Sequence, residues 1–432
     1  MKEKIKLGYI GLGRRGMYMF NQCIIKMPDV EIHTICDLDI EKMERAVSIT
    51  KENGRPAPIT TTDYRDIINA PEIDAVLIMT GWDNRPTIIK DAMLAHKYTA
   101  IEVGCTETLE ECYEILDIYE KTKTPLMMLE NSCYDRFELM VLNMVKQGVF
   151  GEIAHCTGSY SHYLNAVELF KDVGKDDEVT HYRLGHYIRG NRENYPSHEL
   201  GPICKFLNIN RGNRLLKLSS FASKAIGLKH YTKKTYGEDS RHAQIDYKQG
   251  DIIDTIITCA GGETIRLTLD TTLPRTHYSR NISVRGTNGM VTEETKAIFL
   301  EDAGMKEPVR DNLNEFYKKY EHPLQKEVQA EIQKRGSDNA VTFGVHANGA
   351  DWLPLRAFVE SVKNQTMPPI DIYDTLTLLC IGAVSAKSIE LGGAPVDIPD
   401  FTNGKWQNRE PAPKSKYSLN DIVEDDSIKI FP

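Results

Sequence analysis

The stretch Lys4-Ile5-Lys6-Leu7-Gly8-Tyr9-Ile10-Gly11-Leu12-Gly13-Arg14-Arg15-Gly16 decides the fold class. Lys4–Ile10 predicts a short strand and Met17 to about Met27 a helix, with Gly-x-Gly-x-x-Gly between them. Strand, glycine loop and helix in that order are the context of a dinucleotide-binding turn. Gly11 would make the tight turn, Gly13 would let backbone approach a pyrophosphate, and Gly16 would let helix pack on strand. The pyrophosphate would sit on the helix N-terminus, where free N–H groups and the dipole favour an anion. The next predicted strand, Glu31–Cys36, leads into Asp37, 21 residues after Gly16. An acid there suits a ribose 2′-hydroxyl and repels a 2′-phosphate, which favours NAD over NADP. Arg14 and Arg15 pull the other way.

Outward from this loop the alternation continues. Ala75–Thr80 is a continuous apolar strand suited to burial on both faces of a parallel sheet. Pro86–Ala95 and Leu109–Lys121 read as helices, Thr99–Val103 and Pro125–Leu129 as strands. This βαβ series implies right-handed crossovers. Its strand ends gather at Trp82, Glu102 and Asn131, and open α/β sheets bind ligands outside such ends.

The pattern changes at Gly151. Glu152–Tyr160, Leu215–Ala225, Ile252–Thr258, Glu263–Asp270 and Asn281–Arg285 read as strands, with turn signals at Gly261-Gly262 and Gly286-Thr287-Asn288-Gly289. A second, mostly antiparallel sheet is expected. Glu294–Arg335 is highly charged, with helical stretches Asn312–Tyr320 and Leu324–Lys334, and reads as a solvated insertion or oligomer arm. Trp352–Lys363 and Ile372–Glu390 are predicted helices, and the tail from Pro395 is expected to wrap the surface. The fold class is therefore α/β: a Rossmann dinucleotide-binding domain over 1–130, then an α+β domain with an open, mostly antiparallel sheet over 131–432, for substrate binding and dimerisation.

Composition bounds the function. With 432 residues, 53 Lys+Arg and 62 Asp+Glu, the formal charge is −9, so no general pull toward nucleic acid or anionic membrane exists. Apolar residues at 41% and charged residues at 27% place the chain in the globular range. No run approaches the roughly 20 apolar residues of a membrane span. The first residues lack a signal-peptide pattern, and the nine cysteines contain no Cys-x-x-Cys pair. Reduced cysteines and a cytoplasmic setting are the expectation. His181 with His186, and His230 with His242, lack the spacing of a metal site, so no metal is expected. Cys133 reads as a core cysteine, and Lys233-Lys234 is too short for a nucleic-acid patch.

At this level of detail the chain resembles the glucose–fructose oxidoreductase/inositol dehydrogenase (Gfo/Idh/MocA) superfamily. That superfamily normally carries Glu-Lys-Pro after the strand at Thr99, and its lysine assists hydride transfer; here Glu102-Val103-Gly104 has none. One branch matches better. Leu129-Glu130-Asn131-Ser132-Cys133-Tyr134, Gly158-Ser159-Tyr160-Ser161-His162, Tyr182-Arg183-Leu184 and Tyr195-Pro196-Ser197-His198 are similar to the NAD-dependent α-N-acetylgalactosaminidase family of glycoside hydrolases. Asn208-Ile209-Asn210-Arg211-Gly212, Asp270-Thr271-Thr272-Leu273-Pro274-Arg275 with Tyr278, and Ile398-Pro399-Asp400-Phe401 follow in the same order. The resemblance implies a cofactor site lined by Gly11, Gly13, Arg15, Gly16, Asp37, Trp82 to Arg85, Glu102, Val103 and Asn131. Tyr195 would lie between NAD and sugar. Tyr160, Arg183, Tyr195, Pro196, Ser197, His198 and Tyr278 would line the sugar site. Trp82-Asp83-Asn84-Arg85 departs from the family's aromatic-rich stretch ending in His, and the region from Tyr163 to Tyr182 is acidic and longer than usual.

The resemblance implies a reaction unlike that of two-carboxylate glycosidases, to which NAD-dependent enzymes are an exception. Hydride leaves C3 of the sugar, the resulting ketone acidifies C2–H, a base takes that proton, and the aglycone is eliminated from C1. Water adds, C2 is reprotonated, and the hydride returns, so tightly bound NAD is recycled. His198 is the candidate for the C3 hydroxyl, because imidazole titrates near neutral pH and this one sits between Tyr-Pro and Gly-Pro. Tyr160 is the candidate C2 base, and with a phenol pKa near 10 it needs help from Arg183 or a bridging water. Arg183 and Tyr278 are expected to orient sugar hydroxyls or an acetamido carbonyl, and Glu130 is a candidate supporting carboxylate. The substrate class is a small sugar or glycoside, such as an N-acetylhexosaminide, and a homodimer or higher homo-oligomer is a further expectation. A conventional NAD-dependent sugar or polyol dehydrogenase is the alternative, and a non-catalytic NAD-binding sensor is a third.

Overall fold

Six parallel strands carry the glycine loop: β1 (Ile5–Ile10), β2 (Val30–Cys36), β3 (Ile59–Thr61), β4 (Ala75–Ile78), β5 (Tyr98–Ile101) and β6 (Leu126–Met128). A computed structural model describes residues 3–171, 173–174, 177, 181–335, 349–410, 414–425 and 430–431 of the chain. The strand order is β3-β2-β1-β4-β5-β6, every neighbouring pair being parallel. The order reverses between β1 and β4, the position at which such sheets open a ligand crevice at their carboxyl ends. β4 is buried along its whole length, as an apolar run covered on both faces must be.

The first helix runs Arg14–Gln22 and starts directly on the loop glycine, not at Met17. It gives way to a short 3₁₀ turn, Ile24–Lys26, and Met27 is extended. Pro28 accounts for that end, since the residue before proline is pushed out of the helical region.

The second sheet has eight strands: β7 (Ile153–Ser161), β8 (Leu215–Ala222), β9 (Ile252–Cys259), β10 (Thr264–Asp270), β11 (Ser283–Gly286), β12 (Gly289–Thr292), β13 (Ala297–Leu300) and β14 (Val396–Asp397). Its order is β13-β12-β11-β7-β10-β9-β8-β14, with β7 and β10 parallel and the other pairs antiparallel. Burial alternates along β9 and β10, so one face of the sheet is covered and the other open. The covering layer includes two helices that the strand patterning did not reveal, Arg136–Lys146 and Ser197–Phe206.

Two sequence expectations change here. Glu294–Arg335 is not simply a solvated arm, because it supplies the edge strand β13 and two helices that bury Tyr320, Leu324 and Val328. Tyr320 closes the first of these helices, and Leu324 and Val328 lie one turn apart on the second, within a charged background. Asn143 donates from Nδ2 to the Tyr320 carbonyl at 2.9 Å, and Arg136 pairs with Glu321 at 2.5 Å. The division at residue 130 follows the sheets but not the helices. Helices Trp352–Asn364 and Ile372–Leu379 return to the first sheet, where Arg356 pairs with Asp29 at 2.6 Å and the Met128 N–H donates to Thr375 Oγ1. The stretch Ile372–Glu390 has the length and apolarity of a membrane span, but Leu376, Leu379, Ile381 and Val384 are core residues.

Candidate functional site

The glycine loop has the geometry a dinucleotide needs. Gly11 adopts φ +99°, open to glycine at little cost, and a Cβ at Gly16 would lie 2.2 Å from the Gly11 carbonyl oxygen. A Cβ at Gly13 would meet nothing within 4 Å, so the approach to the helix N-terminus is clear. Asp37 is held beside the loop, accepting the Leu12 N–H at 2.5 Å and the Asp39 N–H at 2.9 Å. These groups fit a dinucleotide with a free ribose 2′-hydroxyl.

Arg15 does not compete for a 2′-phosphate. Its Nε donates to Glu102 at 2.9 Å, and Nη2 donates to Asp351 at 2.6 Å. Asp351 is fully buried and also accepts from Asn131 Nδ2 at 2.8 Å, so one carboxylate ties the glycine loop to the end of β6. Asp351 carries no sequence signal, being 336 residues from Arg15. Arg85 is also committed. Its terminal nitrogens donate to the carbonyls of Glu102, Val103 and Thr80, which gives it the job of clamping the ends of β4 and β5. Trp82 Nε1 donates to the Val103 carbonyl at 3.3 Å, and its ring lies against Tyr195 with centroids 5.9 Å apart.

Across the cleft, His198 lies in the first turn of helix Ser197–Phe206, which Pro196 caps. Its Nδ1 is 2.7 Å from Glu130 Oε1. The approach of helix to Glu130 depends on Gly201, where a Cβ would lie 2.9 Å from Glu130 Cγ. Glu130 is fully buried, and burial pushes its pKa up. The His198 ring and the Ser132 N–H outweigh that and hold the carboxyl below its ordinary value. An ionised carboxylate only accepts, so Nδ1 donates this bond, and in the neutral ring Nε2 is the nitrogen that carries the lone pair.

Tyr160, near the end of β7, packs against Tyr195 at 4.4 Å and His198 at 5.5 Å between ring centroids. Tyr278 closes the cluster at 6.2 Å from Tyr160. Arg183 is buried, with its guanidinium carbon 4.5 Å from the Tyr195 ring centre. Its Nε has no hydrogen-bond partner among the described residues, so a buried donor is left over beside this cluster. Burial pushes the Tyr160 phenol well above its ordinary pKa, against the pull of Arg183. The Tyr160 hydroxyl lies 3.2 Å from His162 Nδ1, and burial lowers the pKa of His162, which keeps that imidazole neutral and able to accept. His162 was legible in principle, since it follows Tyr160 by two residues just past the end of β7, and extended backbone puts i and i+2 on one face.

The structure thus brings Tyr160, Arg183, Tyr195, His198 and Tyr278 into one cluster beside Trp82, with Pro196 and Ser197 forming its helix start. His186 lies next to it in different company. Asp83, Glu107 and His186 are close enough to share a cation. However, Arg189 reaches both carboxylates at 2.7 and 2.9 Å, and Arg192 Nη2 donates to His186 Nδ1 at 2.8 Å. Two arginines already balance the two acids, and the group braces the helix Tyr182–Arg189 against Trp82.

Comparison with known proteins gives two family matches. Residues 5–130 match the oxidoreductase family with an NAD-binding Rossmann fold, and residues 134–408 match the glycosyl hydrolase 109 C-terminal domain. A glycosyl hydrolase family 109 protein of Stenotrophomonas maltophilia is 35% identical, over 95% of this chain and 91% of its own. Another from Phocaeicola vulgatus is 33% identical, over 94% and 96%. Among solved structures, levoglucosan dehydrogenase in complex with NADH and L-sorbose superposes with a TM-score of 0.68 at 15% identity, over 92% of this chain and all of that one. A putative myo-inositol dehydrogenase from Sinorhizobium meliloti gives 0.60 at 17%, over 92% and 100%. At these identities the structures show the shared fold.

Proposed function

Since this chain belongs to glycosyl hydrolase family 109 and joins that family's C-terminal domain to an NAD-binding Rossmann fold, we propose that it hydrolyses an N-acetylhexosaminide such as an α-N-acetylgalactosaminide. The route is transient oxidation at C3, removal of the C2 proton, elimination of the aglycone, and addition of water. The observation that carries this reading is the Glu130–His198 contact of 2.7 Å, at the carboxyl end of the dinucleotide-binding sheet and against Tyr195.

The glycine loop, Asp37, Glu102 and Asn131 would hold NAD, which when bound supplies a hydride acceptor for the sugar and returns that hydride at the end of the cycle. His198 Nε2 takes the C3 hydroxyl proton while hydride leaves the same carbon. Glu130 supports the imidazolium that forms, as a buried carboxylate does for a general base. The C3 carbonyl then makes C2–H acidic. Tyr160 is a phenol at rest, so it removes the C2 proton by giving its own to His162 in the same step. Arg183 faces the negative charge that develops on the sugar oxygen, and its buried Nε–H has that role open. The aglycone departs from C1, water adds, and the protons retrace their paths. All nine cysteines are buried and free, which supports a reducing, cytoplasmic setting.

A direct test uses the full chain loaded with NAD, aryl glycosides including the α-N-acetylgalactosaminide, and D₂O as solvent. Aglycone release without accumulation of NADH, and deuterium at C2 of the product, are expected. NADH rising in step with sugar would instead make the protein a dehydrogenase.

A further inference from the structure

A single π-helical turn, Asn165–Leu169, touches both halves of the cleft. It hangs from the end of β10, where the Leu164 N–H donates to the Thr271 carbonyl at 3.0 Å and Asn165 Nδ2 donates to the Thr272 carbonyl at 3.0 Å. On one side Arg14, within the glycine loop, donates from Nη1 to the Val167 carbonyl at 2.7 Å. On the other side Glu168 lies 3.0 Å from Arg183 Nη1. Arg183 is buried over Tyr195 and Trp82, with its guanidinium carbon 4.5 and 5.4 Å from their ring centres. A buried guanidinium needs a carboxylate to offset its desolvation, and Glu168 raises the Arg183 pKa against that burial.

The Val167 carbonyl and the Glu168 nitrogen belong to the same planar peptide unit. Tilting that plane to keep or lose the Arg14 bond therefore moves the backbone that carries the Glu168 side chain. We propose that Glu168 is a positioning residue for Arg183, and that the Arg14–Val167 bond makes this turn a clasp joining the dinucleotide loop to the sugar site. Order in the glycine loop then favours the orientation of Arg183, and loss of either grip loosens both. The part concerning sugar rests on the role given to Arg183 above, whereas the clasp itself does not.

The test is a double-mutant cycle in the full chain, using Arg14→Ala, Glu168→Gln and the pair. NADH dissociation is followed by nucleotide fluorescence in stopped flow, and KM for the aryl glycoside is measured alongside. Each single variant is expected to release NADH about threefold faster or more, and the double no faster than the quicker single, because the two act through one element. Glu168→Gln is also expected to raise KM about fivefold, the size of one partly exposed ion pair. Glu168→Asp, which keeps the charge, recovers part of that loss and separates positioning from misfolding. Rates that multiply in the double variant, or NADH release unchanged in both singles, overturn the clasp. A KM that does not move in Glu168→Gln overturns the positioning role. If the wild type cleaves no glycoside, the glycosidase reading fails, and the NADH cycle still decides the clasp.

Discussion

His198 and His186 stand on consecutive helices and pack into the same aromatic cluster, yet their surroundings set them to different work. His198 has one acid, Glu130, on Nδ1 and keeps 13% of its side chain exposed. His186 is fully buried, meets Arg192 and Glu107 at Nδ1, and has Asp83 3.3 Å from Nε2. An imidazole held at one nitrogen and open at the other can trade a proton with a ligand. One enclosed at both can only brace its neighbours. Residue type is therefore a poor guide to role here, and the exposure of the ring is a better one.

The contrast breaks first if His198→Ala keeps its activity. Loss of a general base predicts kcat/KM lower by about 10²–10⁴-fold with the circular dichroism spectrum unchanged. A loss below about threefold would remove His198 from the chemistry. Next in size is Glu130→Gln, which leaves a hydrogen-bonding group but no charge beside Nδ1. A fall in kcat of about ten- to a hundredfold is expected. If only the melting temperature drops, Glu130 is a packing residue and the difference between the two histidines loses its basis.

The smallest effect belongs to His186. Burial, and then the Arg192 charge beside it, push its pKa down to about 4, against roughly 6.5 in an unfolded chain. A depressed folded-state pKa means that the unfolded chain binds the proton more readily. The stability tied to this group is thus present above pH 6.5 and lost as pH falls toward 4. His186→Gln is expected to melt below the wild type at pH 7, with the gap narrowing by pH 5, as scanning fluorimetry can follow. A gap independent of pH would mean that His186 contributes packing alone.

Some of this site could be read from the chain. The glycine loop and Asp37 are local features, since the strand, turn and helix that shape them lie within a few dozen residues. Tyr160, Arg183, Tyr195, His198 and Tyr278 were legible only through family resemblance, because nothing in their spacing shows that β7, two helices and a loop converge. Asp351, Glu168 and His162 were missed. Asp351 acts 336 residues from Arg15, Glu168 precedes Arg183 by a short stretch with no pattern that marks the pair, and only His162 had a local signal, its two-residue offset from Tyr160 at the end of β7. The charged stretch from Glu294 misled for a related reason. Its buried residues, Tyr320, Leu324 and Val328 among them, are few and spread over two helices, and composition averages them away.

By itself the sequence determined that a parallel dinucleotide-binding sheet precedes a mostly antiparallel one, because strand and helix periodicity and glycine conformation are short-range properties. Tertiary structure alone decided which carboxylate serves which cation: Glu130 the ring of His198, Asp351 the pair Arg15 and Asn131, and Glu168 the guanidinium of Arg183. Coulombic and hydrogen-bond energies depend on distances of a few ångströms inside a low-dielectric interior. Those distances exist only after the chain has packed, whether the partners lie 68 positions apart, as Glu130 and His198 do, or 336, as Arg15 and Asp351 do.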